Sequence, residues 1–321
     1  MYSNCNLFDL SHLGLIAIRG KDADVFLQGQ CTNDLRQLTL KTSQLGSHNT
    51  HKGRMLAMFR LLRQANVIYL QLSKEMVAIF LERLIKYRLR SQVEINDVST
   101  KFSTLGIAGN DADKLLNAAL INDESKNIIP KHPNEVNEIS PFILMRMPEQ
   151  IPRLQVLGPP LQMQDLWRQL IELGGTPNSI NNWKLLDVQA GIPTLYPQTV
   201  EMFVPQMVNL QMLDGISFNK GCYTGQEVIA RVQHLGSLKR RLYRAEVVTS
   251  ISPQPGDQLY SESSDSNQGA GNVVEACSSK NDVFEILAVV EIAAAKNNTV
   301  HLSSNNGPQL HFLDLPYTCP N

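Results

Sequence analysis

Apolar and polar positions along the chain follow two periods, which predict a mixture of strands and helices. Residues 13–18 predict a strand, and residues 45–72 predict a three-stranded meander broken by polar turns. Residues 73–90 then predict an amphipathic helix that packs on a sheet. Its apolar stripe contains Val77, Phe80, Leu84 and Tyr87.

The middle of the chain continues the mixed pattern. Strands are expected at 91–98, 101–109, 142–147 and 153–158, with helices at 112–120, 161–173 and 180–190. Ser179 is a suitable N-cap for the last of these helices. The polar stretch 122–141 contains three prolines and predicts a loop.

The pattern changes after Arg241. Short β-type runs alternate with Gly, Ser and Asn turns, at 242–248, 258–260, 271–276, 283–290, 299–302 and 309–313. Such spacing is typical of a small all-β unit, either a sandwich or a barrel. The chain as a whole therefore reads as α+β.

Composition limits the possible functions. At 321 residues, two or three domains are expected. The 29 basic and 30 acidic residues give a net charge of −1, so no overall field attracts nucleic acid, and any RNA role would be local or indirect. The N-terminal residues show no early basic group and no long apolar run. We therefore expect neither signal peptide nor membrane anchor, and a cytoplasmic setting.

Five scattered cysteines without CxxC spacing argue against a disulfide framework and a zinc site. His48 and His51 form an HxxH pattern, which we interpret as a solvated hairpin rim.

The stretch SFNKGCYTGQEVIAR, residues 217–231, places a cysteine between two glycines. Thr224 and Glu227 have the spacing of a capping box, which predicts a helix from near Gly225. Its expected buried stripe is formed by Val228, Val232 and Leu235. Cys222 would then lie at the positive end of the helix dipole, with Lys220 two positions upstream. Both features favour a thiolate. A small buried thiol at a strand-to-helix turn is the alternative.

This stretch, extended to residues 204–243, resembles the signature of the YgfZ-type folate-binding proteins. That family is a branch of the fold typified by the glycine-cleavage T-protein, an aminomethyltransferase. The likeness continues in FLQGQCTNDL (26–35), HKGRMLAMFRL (51–61), NWKLLDVQAGIP (182–193) and LPY (315–317).

The resemblance implies a three-domain, aminomethyltransferase-like α+β fold around a tetrahydrofolate site. Residues 1–44 and 142–241 would form a discontinuous folate-binding domain, 45–141 an inserted ferredoxin-like domain, and 242–321 a C-terminal β-barrel. The implied role is synthesis or repair of iron–sulfur enzymes, notably those that modify tRNA. Folate and these client enzymes are then the expected partners, with no direct contact to nucleic acid and none to a membrane.

The resemblance also implies site residues. Cys222 and Lys220 would form the reactive centre. The expected cofactor-binding residues are Trp183, Gln189, Arg240, Leu13, Tyr87 and Tyr223. Trp183 would border the folate ring, and Arg240 would pair with a glutamyl carboxylate. The alternatives are core packing for Trp183 and Tyr87, and a solvated basic run for Arg240.

Three positions depart from the family pattern. Leu13 stands where many members have a second tryptophan, and Gln189 where a glutamate is common. Ala57 and Met58 stand where the aminomethyltransferases place an acid, which argues against glycine-cleavage activity. Two alternatives to a folate-binding role in iron–sulfur maturation stay open. They are a one-carbon transferase, and an adaptor for iron–sulfur proteins that has lost folate binding.

Overall fold

A computed structural model of the chain divides by its internal contacts into two compact units. It describes residues 4–121, 128–148, 151–234, 236, 238–264 and 269–319. The first unit comprises Met1–Phe26, Leu35–Gln44 and Phe59–Trp183, and the second comprises Leu27–Asp34, Leu45–Met58 and Lys184–Asn321. The division into three domains stays a prediction.

The described residues contain strands and helices throughout. The strands are β1 (Asn6–Asp9), β2 (Leu13–Arg19), β3 (Gln44–Asn49), β4 (Met55–Gln64), β5 (Val67–Ser73), β6 (Glu94–Asp97), β7 (Ser103–Ala108), β8 (Val136–Ile139), β9 (Phe142–Arg146), β10 (Arg153–Gly158), β11 (Thr176–Asn178), β12 (Arg240–Val248), β13 (Gln258–Tyr260), β14 (Gly271–Lys280), β15 (Val283–Glu291), β16 (His301–Leu302) and β17 (Leu310–Leu313). The α-helices are α1 (Ala23–Gln28), α2 (Lys74–Tyr87), α3 (Ala112–Leu120), α4 (Pro160–Glu172), α5 (Ile180–Gln189), α6 (Gln226–His234) and α7 (Ile292–Lys296). Short 3₁₀ helices span Leu35–Gln37, Pro197–Thr199, Pro205–Val208 and Leu210–Leu213.

One sheet of the first unit has the strand order β11-β1-β7-β10-β9-β8. Neighbouring strands run antiparallel, except that β1 and β11 are parallel. Leu115 of α3 and Leu166 of α4 are buried in the apolar core that these helices share with the sheet. Strand β8 lies inside the stretch predicted as a loop. Polar residues and nearby prolines conceal it, although Val136 is buried.

The predicted meander and amphipathic helix are confirmed. Strands β3 to β5 belong to a sheet of order β3-β4-β5-β2-β6, and β4 continues from the second unit into the first. On α2, Val77, Phe80 and Leu84 are buried. The placement of Tyr87 in the buried stripe is wrong, because its side chain is 39% exposed at the end of the helix.

The C-terminal sheet, of order β16-β13-β14-β15-β12-β17, confirms the predicted all-β unit. Its two edge strands approach each other. Backbone N–H groups of Leu302 and Leu310 donate to Pro308 and Val300 carbonyls, at 2.8 and 2.9 Å. The sheet therefore curls until its edges meet, as expected for a small barrel.

Trp183, on α5, belongs to the core of the first unit. Its ring is 1% exposed and lies 5.3 Å from the ring of Phe8, centroid to centroid. The guanidinium carbon of Arg153 lies over the same ring, 5.3 Å from its centroid. Helix α5 is capped as predicted, because the Asn182 N–H lies 3.4 Å from Ser179 Oγ.

No helix among the described residues is both long enough and apolar enough to cross a lipid bilayer.

Gly106 provides a test of this packing. A Cβ there would lie 2.7 Å from the ring carbons of Trp183. Because this ring is buried and in contact with Phe8 and Arg153, we expect Gly106→Ala to lower the free energy of unfolding by about 1–3 kcal/mol. Chemical denaturation measures the change. Gly221→Ala is the matched control, since nothing lies within 4 Å of a Cβ at that position. Equal stabilities of the two variants would contradict the described packing.

Candidate functional site

The turn before helix α6 is built around Gly225. This residue has φ +84°, and a Cβ there would lie 2.5 Å from the Thr50 carbonyl oxygen. Only glycine combines this backbone angle with such a close approach. The helix begins at Gln226, one residue later than predicted, and Cys222 lies in the loop that leads to it.

The predicted capping box is wrong. In a capping box, the Thr224 N–H would donate to the Glu227 carboxylate. It donates instead to the Gly29 carbonyl at 3.3 Å. Glu227 pairs with Arg231 at 2.9 Å. The loop is closed by Gln226, whose Oε1 accepts a hydrogen bond from the Tyr223 N–H at 3.2 Å. A tertiary bond to Gly29 and the side chain of Gln226 therefore take the place of the predicted capping box.

The predicted buried face of α6 differs as well. Ile229 is the buried residue of this helix, whereas Val228 and Val232 are half-buried. Leu235, the third residue of the predicted stripe, lies outside the described residues.

Lys220 anchors the loop from within the second unit. Its side chain is 7% exposed, and Nζ lies 2.8, 2.7 and 2.6 Å from the carbonyl oxygens of Gln28, Cys31 and Asn33. An ammonium has three donors, and these carbonyls match them in number. The bonds give Lys220 an anchoring role, and an effect of its charge on Cys222 stays a prediction.

Tyr223 extends this anchor into the core. Its ring lies 5.0 Å from Lys220 Nζ and belongs to a buried apolar cluster of the second unit. Burial, and secondarily the nearby Cys31 thiol, raises the pKa of the Tyr223 hydroxyl to about 12. In this structure Tyr223 packs inside the unit, and a contact with cofactor stays a prediction.

Cys222 is the exposed cysteine of the five. The thiols of Cys5 and Cys31 are buried, and burial raises the pKa of each, to about 12 and about 11 respectively. A high pKa keeps these thiols protonated and unreactive. The buried-thiol alternative therefore does not apply to Cys222, which solutes can reach.

A cleft of about 1270 Å³ opens in the second unit. Basic residues dominate its charged lining, namely Lys52, Arg54, Lys239, Arg240 and Lys296, against the acidic Glu201 and Glu291. Apolar side chains complete the wall, including those of Met202, Phe203, Met207, Leu238 and Val289. The combination suits an anionic ligand with a flat apolar part.

The turn 50–54 connects the cleft to the loop of Cys222. Gly53 has φ +72°, and a Cβ there would lie 3.1 Å from Val228 of α6. The residues beside this glycine, Lys52 and Arg54, line the cleft. The Arg54 guanidinium also donates to the Met202 carbonyl at 2.5 Å, which fixes this side of the wall.

Arg240 is the predicted site residue that lines this cleft. Its Nη2 donates to the Gly269 carbonyl at 2.6 Å and lies 3.1 Å from Glu291 Oε1. The guanidinium is therefore held in place rather than solvated, which argues against the basic-run alternative.

Gln189 lies in the second unit beside a buried ion pair. Its Nε2 donates to Glu285 Oε1 at 3.0 Å, and Arg244 binds the other oxygen of that carboxylate at 2.6 Å. A glutamate at position 189 would place two carboxylates side by side, which is unfavourable. An amide suits this neighbour because it can donate.

The remaining predicted residues belong to the first unit and lie on different elements. Leu13 begins β2 and pairs in register with Ser73. Tyr87 ends α2, with the Arg83 guanidinium carbon 5.2 Å over its ring. Trp183 is enclosed by core residues, so stacking on a cofactor stays a prediction.

The sequence pattern does not predict several polar residues in or near the site. His48, expected at a solvated rim, is fully buried, and its Nδ1 lies 2.8 Å from the Gln30 carbonyl oxygen. Lys52 and Arg54 come from one turn, and Lys296 comes from a distant helix. Only the HKGR motif could have indicated the first two.

A buried chain of hydrogen bonds also went unrecognised. Lys184 Nζ lies 2.9 Å from the Tyr196 hydroxyl, which donates to Glu275 Oε2 at 2.5 Å. Burial raises the pKa of Glu275, and the nearby Lys184 charge opposes this effect. The chain joins α5 to β14 inside the second unit.

Comparison with known proteins defines the class first. The family model of the GCVT N-terminal domain matches residues 1–147. The crystal structure of glycine cleavage system aminomethyltransferase T from Bartonella henselae superposes with a TM-score of 0.71 at 16% identity. The match covers 98% of this chain and 86% of that chain. The predicted aminomethyltransferase-like α+β fold is confirmed.

Curated relatives then narrow the class to a family. The tRNA-modifying protein YgfZ of Colwellia psychrerythraea is 30% identical over 237 residues, covering 74% of this chain and 70% of the relative. Proteins of the same name from Hamiltonella defensa and Sodalis glossinidius are 29% and 28% identical. They cover 94% and 97% of this chain, and 88% and 92% of their own lengths are matched. The chain belongs to the YgfZ family.

The anchoring role of Lys220 is directly testable. Lys220→Met keeps the apolar stem but leaves three carbonyl oxygens without their donor. We expect the free energy of unfolding to fall by about 3 kcal/mol, because each buried group loses a charge-assisted bond. Lys280→Met, at an exposed position of β14, is the control. A stability loss below about 1 kcal/mol would rule out the anchor.

Glu275 predicts a pH dependence of stability. A raised pKa means that the folded state binds the proton more tightly, so the stability of the parent falls as pH rises above 4.5, the ordinary value. We expect the stability of Glu275→Gln relative to the parent to increase over this range and then level off. Urea unfolding at several pH values measures it. A pH-independent difference would contradict the shifted titration.

Proposed function

We propose that the protein binds a reduced folate in the basic cleft of the second unit and supports iron–sulfur enzymes through Cys222. These clients would include enzymes that modify tRNA, in keeping with the name of the relatives. The observation that carries the proposal is that two motifs within the family resemblance, HKGR (51–54) and LKRR (238–241), contribute to one cleft that is lined by both basic and apolar side chains. A cytoplasmic setting follows from this role.

The lining residues fit a folate. The cleft has room for a folate, because its volume of about 1270 Å³ is above the range of about 300–1,000 Å³ that is usual for small-ligand sites. Phe203 and Met207 offer apolar contact to a ring, and Arg240 offers a fixed guanidinium to a tail carboxylate. A bound tetrahydrofolate would supply one-carbon chemistry.

We assign to Cys222 the reactive role toward the iron–sulfur client proteins. Lys220 and Gln226 hold its loop, and the loop leaves the thiol exposed. The turn at Gly53 brings the same α6 segment against residues of the cleft wall. A lone cysteine cannot hold an iron–sulfur cluster without ligands from a partner, so we place the client protein at this loop.

The two residues that stand where the aminomethyltransferases place an acid support folate binding without glycine cleavage. Ala57 and Met58 lie on β4 with exposures of 0% and 8%. Neither can act as a general acid or base. The one-carbon transferase alternative would need another residue for that role.

Calorimetric titration with tetrahydrofolate under anaerobic conditions tests the proposal. We expect saturable binding by the parent and about tenfold weaker binding by Arg240→Gln, since a charge-assisted bond is lost. Lys280→Gln, a change outside the cleft lining, should bind as the parent does. Trp183→Phe tests whether the first unit takes part in folate binding, because this substitution keeps an aromatic residue in the core.

Absence of saturable binding by the parent would overturn the folate proposal. Unchanged affinity in Arg240→Gln combined with loss in Trp183→Phe would move the cofactor away from the cleft.

Cys222→Ser tests the assigned chemistry. We expect loss of activity of iron–sulfur tRNA-modifying enzymes in cells that depend on this protein, with parental folding and folate affinity. Cys319→Ser, a half-buried cysteine, is the control and should restore full activity. Loss of folding or of folate binding in Cys222→Ser would show a structural or ligand-contact role instead.

A further inference from the structure

Residues 85–90, the basic turn, form a continuous exposed segment of the first unit, at the end of α2 and just beyond it. Apolar and basic residues alternate in it. They are Ile85, Lys86, Tyr87, Arg88, Leu89 and Arg90. We infer that the basic turn is a binding surface for a short unpaired strand of nucleic acid.

The basic turn concentrates positive charge. Residues 83–93 contain four basic side chains and no acidic one, although the whole chain has a net charge of −1. Among the described residues, no carboxylate lies within ion-pair distance of Arg88 or Arg90. Lys86 pairs with Glu82 at 2.6 Å, but the two side chains are 70% and 71% exposed, and such a pair is weak. The expectation of no direct contact with nucleic acid rested on the net charge, which conceals this local excess.

Helix stability explains only part of the basic turn. Cations in the last turn of a helix interact favourably with its dipole, which accounts for Lys86 and Arg88. Arg90 lies beyond the helix, and apolar side chains gain nothing from the dipole. Leu89 has φ +48°, a conformation usually taken by glycine after a helix, and its side chain is 85% exposed. This leucine stabilises the fold little, so a contact with a partner accounts for it better.

The backbone of the basic turn is fixed by hydrogen bonds on both sides. The Arg88 N–H donates to the Ile85 carbonyl at 3.2 Å, and the Ser91 N–H donates to the Arg88 carbonyl at 2.9 Å. The next residue, Gln92, donates its N–H to Asp22 Oδ2 at 2.7 Å. The exposed side chains are therefore presented from an ordered backbone, which lowers the entropy cost of binding.

The mixture of side chains indicates the class of partner. Arginine and lysine suit phosphates, and exposed aromatic side chains suit the faces of unstacked bases. The ring of Tyr87, with the Arg83 guanidinium carbon 5.2 Å from its centroid, offers such a surface. In a duplex the base faces are stacked inside, so Tyr87 and Leu89 would have no contact. An ordinary protein interface uses about 20–30 residues a side, far more than the basic turn supplies.

Fluorescence anisotropy with a labelled oligouridylate of about 12 nucleotides tests the inference on the full chain. We expect saturable binding at about 50 mM salt, and about tenfold weaker binding by the double variant Arg88→Gln with Arg90→Gln. The salt slope of this variant should be smaller by about 1.4, because two phosphate contacts of about 0.7 each are lost. Lys114→Gln with Lys280→Gln, at two exposed positions elsewhere, is the charge-matched control and should bind as the parent does.

Leu89→Gly separates a binding role from a structural one. Glycine suits the backbone angle at this position, so the free energy of unfolding should stay equal or rise. The affinity for oligouridylate should nevertheless fall about threefold with an unchanged salt slope, because an apolar contact and no charge is lost. Parental affinity in this variant would contradict the assigned role of Leu89 and overturn the inference.

Four further outcomes would overturn the inference. They are no saturable binding by the parent, parental affinity in the Arg88 and Arg90 variant, an RNA duplex that binds as tightly as the single strand, and equal displacement by poly-L-glutamate at matched charge. The last would assign the basic turn to an acidic protein. Sedimentation with vesicles of phosphatidylcholine and phosphatidylglycerol that Leu89→Gly abolishes would assign it to a membrane, and would overturn the inference as well. Tighter binding of oligouridylate than of oligothymidylate, or the reverse, supports the inference and identifies RNA or DNA as the source of the strand.

Discussion

The ammonium of Lys220 is the interaction on which the proposed site depends. It joins the loop before Cys222 to residues 28–33, a segment that lies far away in the sequence. That segment is itself held from both sides, because Asn33 Nδ2 donates to the Leu45 and Asp214 carbonyls at 2.8 and 2.6 Å. The buried cation therefore joins two distant parts of the chain, and Asn33 links the second of them to Leu45 and Asp214. Its burial is tolerated because each of its donors has an acceptor.

Two glycines extend this constraint to the cleft. Gly225 and Gly53 approach each other closely, and a Cβ at Gly225 would lie 3.1 Å from the Gly53 Cα. The turn that carries Lys52 and Arg54 is thus packed directly against the start of α6. The loop of Cys222 and the basic wall are consequently parts of one packed structure. A substitution in one part is therefore expected to affect the other part. This fits the proposal that an anionic ligand acts together with the Cys222 thiol.

Much of the fold was accessible from the sequence because burial imposes a period on it. The stripe of α2 and the six β runs after Arg241 are examples in which apolar spacing alone located the elements. Strands β8 and β11 were missed because they are short and rich in polar residues and proline. Their pairing depends on neighbours in the sheet rather than on their own composition.

The site was less accessible because its geometry is tertiary. The Thr224–Glu227 spacing suggested a local cap, but the Gly29 carbonyl takes the Thr224 donor. Spacing along the chain also gave no sign that Lys52, Lys239 and Lys296 share a cleft. The resemblance located Arg240, yet the ion pair that holds it is visible only in the structure.

Hydrogen–deuterium exchange with and without tetrahydrofolate tests the central claim most directly, namely that the cofactor lies in this cleft. The account predicts added protection over residues 51–55, 238–241 and 291–296, and less of it in Arg240→Gln at the same subsaturating folate concentration. Protection confined to the segment around Trp183, with no change at the three cleft segments, would contradict it.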